Sequence, residues 1–241
     1  MKQTEAEFLA QYNPAEFERP SVTVDVAILT VQEGELRVLL VQRADHPFRE
    51  AWALPGGFVR MDESLDDAAR RVLSTKGGVQ GVYLEQLGAF GAVGRDPRTR
   101  VISVLFFALV PPDALRPAQG RLMRVALAPR SAAPAAAQDG EQTLSLAFDH
   151  AEMLGAVVRR LRQNLARSPM AYSLLPERFS LRQLHAVYEA VLGRSLNYPA
   201  FRRTILGAGV LLATGEREEE VGHRPAELYR VGPGELEVDD G

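Results

Sequence analysis

Residues 51–78 restrict the fold more than any other stretch. They run from a loop that needs glycine and proline into an amphipathic helix that ends on a glycine pair. Leu54-Pro55-Gly56-Gly57 reads as loop. Over residues 63–76, Leu65, Ala69, Val72 and Leu73 recur at i, i+4, i+7 and i+8, the stripe of a helix packed on one face. Gly77-Gly78 then ends it as a C-cap. Upstream, Val22, Val24, Val26 and Ile28 alternate with Thr23, Asp25 and Ala27, which is strand periodicity. Glu33-Gly34-Glu35 reads as a hairpin turn into a second strand over 36–42. Residues 79–90 and 101–110 read as strands joined by a polar turn at 94–100, and 122–128 as one more.

Residues 126–140 contain SAAPAAAQDG, which is read as a loop or linker beside a domain boundary. Beyond it the pattern turns helical. Residues 148–166 form a helix with Asp149 in its first turn and arginines towards its end, matching the helix dipole. Ser180 caps a helix carrying Leu181, Leu184, Tyr188 and Val191 on one face. Residues 198–208 form a short helix with Pro199 in its first turn. Residues 210–213, a Thr214-Gly215 turn and residues 226–231 then make a hairpin. Helix, turn, helix and hairpin spell a winged helix-turn-helix. The expected class is α+β, with a first domain over 1–145, a second over 146–232 and an acidic tail over 233–241.

The 241 residues are 46% hydrophobic and 24% charged, ordinary for a globular protein. The absence of cysteine excludes a disulfide scaffold, a thiolate zinc site and a cysteine nucleophile. No apolar run is long enough for a transmembrane helix, and the acidic N-terminus lacks a secretion signal, so a cytoplasmic protein with no membrane partner is expected. The net charge of −3 hides a division. Residues 1–148 hold 16 basic and 18 acidic side chains, residues 149–232 hold 12 arginines and 9 acids, and the tail holds four acids. The helical half is therefore basic, which is compatible with DNA binding.

In a fixed frame, Gly57, Glu63, Arg71, Leu73, Gly78 and Val79 resemble the Nudix box. That box reads glycine, five residues, glutamate, seven residues, then Arg-Glu-apolar-any-Glu-Glu-any-Gly-apolar. The preceding Trp52-Ala53-Leu54-Pro55 is similar to the family as well. The resemblance implies an α/β/α sandwich around a mixed sheet. It also implies a structural pairing of Glu63 with Arg71.

The three metal-binding glutamates of that box are absent, and Val72, Thr75 and Lys76 stand in their places. Magnesium wants hard oxygen ligands, which carboxylates at i, i+3 and i+4 supply from one helix face. Valine cannot ligate, threonine offers a neutral hydroxyl and lysine adds a cation. No catalytic residue, metal or cofactor is therefore expected, unless acids such as Glu85 or Asp96 hold a relocated ion. The cleft can still bind a nucleotide. Phe90-Gly91 and Gly94-Arg95-Asp96-Pro97-Arg98 are similar to the loop of Nudix proteins acting on ADP-ribose-like compounds. Gly56 and Gly57 would line the cleft, and Arg43, Arg95 and Arg98 would pair with phosphates. Phe48, Trp52 or Phe90 would stack on adenine, although for Trp52 core packing is the stronger reading.

Leu146-Ala147-Phe148-Asp149-His150-Ala151-Glu152, Leu174-Leu175-Pro176-Glu177-Arg178-Phe179-Ser180-Leu181, Phe201-Arg202-Arg203 and the segment from Gly222 through His223, Arg224 and Pro225 to Arg230 resemble the Nudix-related transcriptional regulators of NAD metabolism. That resemblance implies a homodimeric repressor binding a double-stranded DNA operator of NAD biosynthesis or salvage genes. Its effector would be ADP-ribose or a related nucleotide. Arg202 and Arg203 would point away from the helix-packing side of Phe201 and Ile205, towards phosphates or guanine edges. Asn197 and Tyr198 stand at the helix start, Arg182 early in the preceding helix, and His223 and Arg224 on the wing. Glu216, Glu218, Glu219, Glu220 and Glu227 oppose phosphate and turn the wing tip away from DNA. The alternatives are an active hydrolase of ADP-ribose-like compounds with a dimerising C-terminal domain, and a ligand-binding protein with a vestigial winged helix.

Overall fold

The structure, a computed structural model, describes residues 3–127, 135–165, 169–218 and 225–232. Helix α1 (Glu5–Gln11) carries a capping box between Thr4 and Glu7. Strands β1 (Ser21–Gln32), β2 (Glu35–Gln42), β3 (Trp52–Ala53) and β4 (Gly56–Phe58) precede helix α2 (Leu65–Val72). Then come β5 (Tyr83–Phe90), β6 (Val101–Leu109), β7 (Arg121–Ala126), β8 (Ala136–Asp139) and β9 (Gln142–Leu144). The remainder is helix α3 (His150–Asn164), a 3₁₀ stretch Pro169–Leu174, β10 (Phe179–Ser180), α4 (Leu181–Leu192), α5 (Tyr198–Gly207), β11 (Leu211–Arg217) and β12 (Glu227–Val231).

The large sheet has the order β5-β6-β1-β2-β7-β8-β9, with β3 added to β2 and β4 to β1. β1 runs parallel to β6 and antiparallel to β2, so the sheet is mixed. Its central strands are buried on both faces, and the two-residue strand period decides which side chain meets which layer. Val24, Val26 and Ile28 pack with Ala68, Ala69 and Val72 of α2. Ala27, Leu29 and Val31 face the opposite core, with Leu154 and Val157 of α3 and Leu184 and Val187 of α4. One apolar core thus joins the sheet to the helical half. Its far side holds Phe201 of α5 and Tyr229 of β12. The result is an α/β/α sandwich followed by a winged helix, whose small sheet has the order β10-β12-β11. Among the described residues no helix is long and apolar enough to cross a membrane.

Several local expectations are corrected. Gly56 and Gly57 are not loop: β4 pairs with β1, with Gly56 opposite Asp25. Glycine is required there because a Cβ would lie 2.0 Å from the Asp25 carboxylate. Residues 63–76 are not one regular helix. Ser64 caps α2, which passes at Leu73–Gly77 into a π-helical turn. Gly78 ends that turn in the left-handed region, at φ 69°. Only 128–134 of the expected linker lies outside the described residues. Its later part forms β8, which pairs with both β7 and β9 and so extends the sheet. Thr214-Gly215 is not the hairpin turn, because β11 continues to Arg217 through an irregularity. The acidic tail lies outside the described residues.

Candidate ligand cleft and nucleic-acid interface

A cavity of about 370 Å³ opens over the ends of β1 and β4, walled by the loop after β2, the loop after β5 and the start of α3. Asp25 lies at its floor, 7% exposed. A carboxylate buried in a strand of Val, Ala and Leu needs partners, and it has them. The Ser103 hydroxyl donates to it at 2.5 Å, Arg95 approaches to 4.0 Å and His150 Nε2 to 3.7 Å.

The wall on the far side comes from the second half of the chain. Phe148 holds φ 53°, uncommon for a residue with a Cβ, and its ring meets Phe48 edge-on at 4.8 Å. The Arg43 guanidinium lies 4.8 Å from the same ring centroid and donates to the Pro47 carbonyl at 2.8 Å. Asp149 does not cap α3 with its side chain. Its carboxylate instead accepts two bonds from Arg95, at 2.8 and 2.6 Å. His150 Nδ1 accepts from the Leu54 amide at 3.0 Å, which leaves the proton of the neutral ring on Nε2, towards Asp25. Burial pushes the His150 imidazole below its ordinary value.

The expected ligand residues divide into three groups. Arg43, Gly56, Gly57, Arg95, Asp96 and Arg98 line the cavity, and Phe48 stands at its edge against Phe148. Arg95 and Arg98 are already engaged by carboxylates. Asp96 accepts from Arg98 at 3.0 and 2.8 Å, which holds the Asp96 carboxyl below the usual range. Trp52 and Phe90 are not brought to the cavity; both pack against the core beneath it. Asp25, Lys76, Phe148 and His150 are cavity residues that the sequence reading did not select. A lone aspartate between Val24 and Val26 in an otherwise uncharged strand was the one available signal for Asp25.

The helix positions that hold the ion in Nudix hydrolases do not fit magnesium. Val72 is buried in the core, and the Thr75 hydroxyl donates to the Arg71 carbonyl at 2.7 Å. Lys76 enters the cavity and donates from Nζ to the Gly56 carbonyl at 3.0 Å. Glu63 is held by Arg71 in two bonds, at 2.9 and 2.5 Å, which lowers its carboxyl to about 2. Glu85 accepts from the Tyr83 hydroxyl and lies 3.6 Å from Arg160. Among the described residues no three His, Cys, Asp or Glu side chains are grouped to hold a metal ion.

In the winged helix, Ser180 and Gln183 form a capping box at the start of α4. The Asn197 side chain accepts from the Ala200 amide at 2.9 Å and so starts α5. Phe201 turns inward onto His185 and Tyr188, with ring centroids at 5.0 and 5.1 Å. Tyr198 is half-buried, edge-on to His185 at 5.2 Å. The opposite face of α5 presents Arg202 and Arg203 to solvent, and Arg182 is exposed on α4. Arg178 is paired with Glu216 at 2.7 Å. His223 and Arg224 lie outside the described residues.

A continuous route joins cleft and interface. From the Asp149–Arg95 pair, α3 runs to Arg162, whose guanidinium donates to the carbonyls of Val191 and Leu192 at the end of α4. The Tyr188 hydroxyl of α4 donates to the Leu165 carbonyl at 2.9 Å, and the Tyr188 ring carries Phe201.

Residues 20–146 match the NUDIX domain, and residues 171–231 match the NrtR DNA-binding winged helix domain. The "ADPR responsive transcriptional repressor NtrR" of Acinetobacter baylyi is 38% identical over 229 residues, which cover 94% of this chain and 88% of that protein. The crystal structure of Shewanella oneidensis NrtR complexed with a 27mer DNA is 34% identical with a TM-score of 0.73, covering 88% of this chain and 94% of that one. The NUDIX domain of the same protein, cocrystallised with ADP ribose, is 35% identical with a TM-score of 0.53, covering 66% of this chain and 99% of that one.

Proposed function

The chain belongs to the NrtR family of Nudix domains joined to a winged helix, and from that premise we propose that it is a DNA-binding transcriptional repressor of NAD biosynthesis or salvage genes, regulated by ADP-ribose or a related nucleotide. It is a regulator and not a hydrolase. The cleft has an aromatic edge, arginines and a buried polar floor, all of which suit a nucleotide, while the helix that should carry a metal carries Val72, Thr75 and Lys76. In this reading residues 1–145 sense the ligand and residues 146–232 bind DNA, as a homodimer with one α5 per operator half-site. Arg182, Arg202 and Arg203, with Asn197 and Tyr198 at the helix start, meet the DNA.

The observation that carries the regulatory part is that Phe148 and His150 line the cleft and Asp149 binds its Arg95, while the three residues lead directly into α3. A ligand that displaces this wall, or closes it, acts on the helix leading to α4 and α5. Its effect equals its difference in affinity for the two arrangements. A tenfold change in operator affinity needs about 1.4 kcal/mol of that difference.

The test is anisotropy of the full chain on DNA from upstream of its own gene, at a stated salt concentration, with and without ADP-ribose. Binding tighter than to scrambled DNA, and altered by ADP-ribose, is expected. Equal affinity for both DNAs refutes the repressor reading. Turnover of ADP-ribose with magnesium, abolished by chelator, refutes the assignment as a non-enzyme.

A further inference from the structure

The cleft contains four cationic side chains, and two of them lack a carboxylate. Arg95 is matched by Asp149 and Arg98 by Asp96. Among the described residues neither Arg43 nor Lys76 has a carboxylate within 4 Å. Arg43 is held by backbone carbonyls, with one guanidinium face on Phe148. Lys76 uses one of its three N–H donors on the Gly56 carbonyl. Both side chains line the same cavity, and Lys76 stands at a position where the Nudix box carries a metal-binding glutamate. A half-buried ammonium whose one direct partner is a neutral carbonyl is an incomplete site, and an anion completes it. Burial lowers the Lys76 ammonium from its ordinary value, and the nearby Arg43 and Arg71 act in the same direction against the pull of Asp25.

Resting on the effector reading above, we propose that Lys76 replaces the metal: its ammonium and the Arg43 guanidinium bind the two negative charges of a nucleoside diphosphate ester directly, without a divalent cation. The π-helical turn at Leu73–Gly77 carries Lys76, and Gly56, whose missing side chain lets β4 lie against Asp25 and Val24 of β1, offers its carbonyl to Nζ. A lysine at this position makes the site selective for a charged diphosphate and unable to polarise water with a metal. The same substitution therefore removes hydrolysis and keeps recognition.

Calorimetry of the full chain with ADP-ribose, in chelator and then in excess magnesium, tests this, with ADP and inorganic pyrophosphate as further probes. Wild type is expected to bind with the same affinity in both solutions. Lys76→Met loses at least tenfold in both, and Lys76→Arg recovers most of that loss. Lys76→Glu loses at least tenfold in chelator and regains affinity in magnesium. Circular dichroism melts and operator binding without ligand show that each variant is folded. Wild-type binding that collapses in chelator, or a folded Lys76→Met that binds as wild type does, overturns the proposal. If ADP-ribose fails to bind while ADP or pyrophosphate binds without metal and through Lys76, the effector reading falls and the role of Lys76 stands. If none of the three binds wild type, Lys76 has no such role.

Discussion

Arg95, in the loop after β5, and Asp149, the residue preceding α3, are joined by two charge-assisted hydrogen bonds although 54 positions apart, and the Arg95 side chain is only 4% exposed. The pair ties the cleft to the helical half, with Asp25 as a second carboxylate 4.0 Å from the same guanidinium.

Removing Asp149 takes both of its hydrogen bonds from the buried Arg95 and leaves Asp25, at 4.0 Å, as the carboxylate nearest to it. Asp149→Ala is expected to lower stability by about 3 kcal/mol, in the range for a broken buried pair. Urea unfolding measures it. The paired replacement Arg95→Met with Asp149→Leu should recover at least half of the loss. A loss of less than about 1 kcal/mol in the single variant would place the pair with weak surface bridges.

His150 adds a pH dependence. It is buried neutral, facing Asp25, Asp149, Arg95 and Arg43, and its folded value is lowered from 6.5. The unfolded chain therefore binds the extra proton first. Stability is complete above 6.5 and falls as pH drops from there towards the lowered folded value, with a slope of up to about 1.4 kcal/mol per pH unit. Denaturant midpoints between roughly pH 7 and pH 5 should fall more for wild type than for His150→Asn, whose amide oxygen can still accept from Leu54. Parallel curves would count against His150 as the titrating group.

Gly78 holds φ 69°, and a Cβ there would lie 1.8 Å from the Arg116 carbonyl oxygen. Gly78→Ala must move backbone, so a loss of about 2–4 kcal/mol is expected. Gly81, also left-handed but with open space around it, serves as control. Gly81→Ala should lose about 1 kcal/mol or less. Equal thermal shifts in the two variants would mean that the contact with Arg116 has no weight.

Arg203→Ala removes an exposed cation from α5, opposite the inward side chain Phe201. It is expected to weaken operator binding at least tenfold, about 1.4 kcal/mol, with ADP-ribose binding unchanged by calorimetry. Operator affinity equal to wild type would show that another face of α5 meets the DNA.

Much of this was legible in the chain. Strand alternation from Val22, the Glu33-Gly34 turn, the Ser180 cap and the outward placement of Arg202 and Arg203 all follow from local periods and caps, and all are present. The resemblance to the Nudix box implied the pairing of Glu63 with Arg71, which is present. The errors were of a different kind. Gly56-Gly57 looked like loop because glycine is a poor strand former, yet its missing side chain is what lets β4 lie beside Asp25. The alanine-rich stretch looked like linker because alanine carries little pattern, yet Ala137 is a buried strand residue.

By itself, the sequence determined the long strands, the capped helices and the presence of Val72, Thr75 and Lys76 where the Nudix box carries glutamates. These depend on residue identity and spacing over one or two turns. Only the tertiary structure decided which charges are spent and which are free. Arg95 and Arg98 looked like phosphate ligands and are neutralised by Asp149 and Asp96, while Lys76 looked like a defect and, with Arg43, faces the cavity with no carboxylate in contact among the described residues. A charge is neutralised by what lies within a few ångströms in space, and Asp149 reaches Arg95 only because α3 folds back onto the sheet.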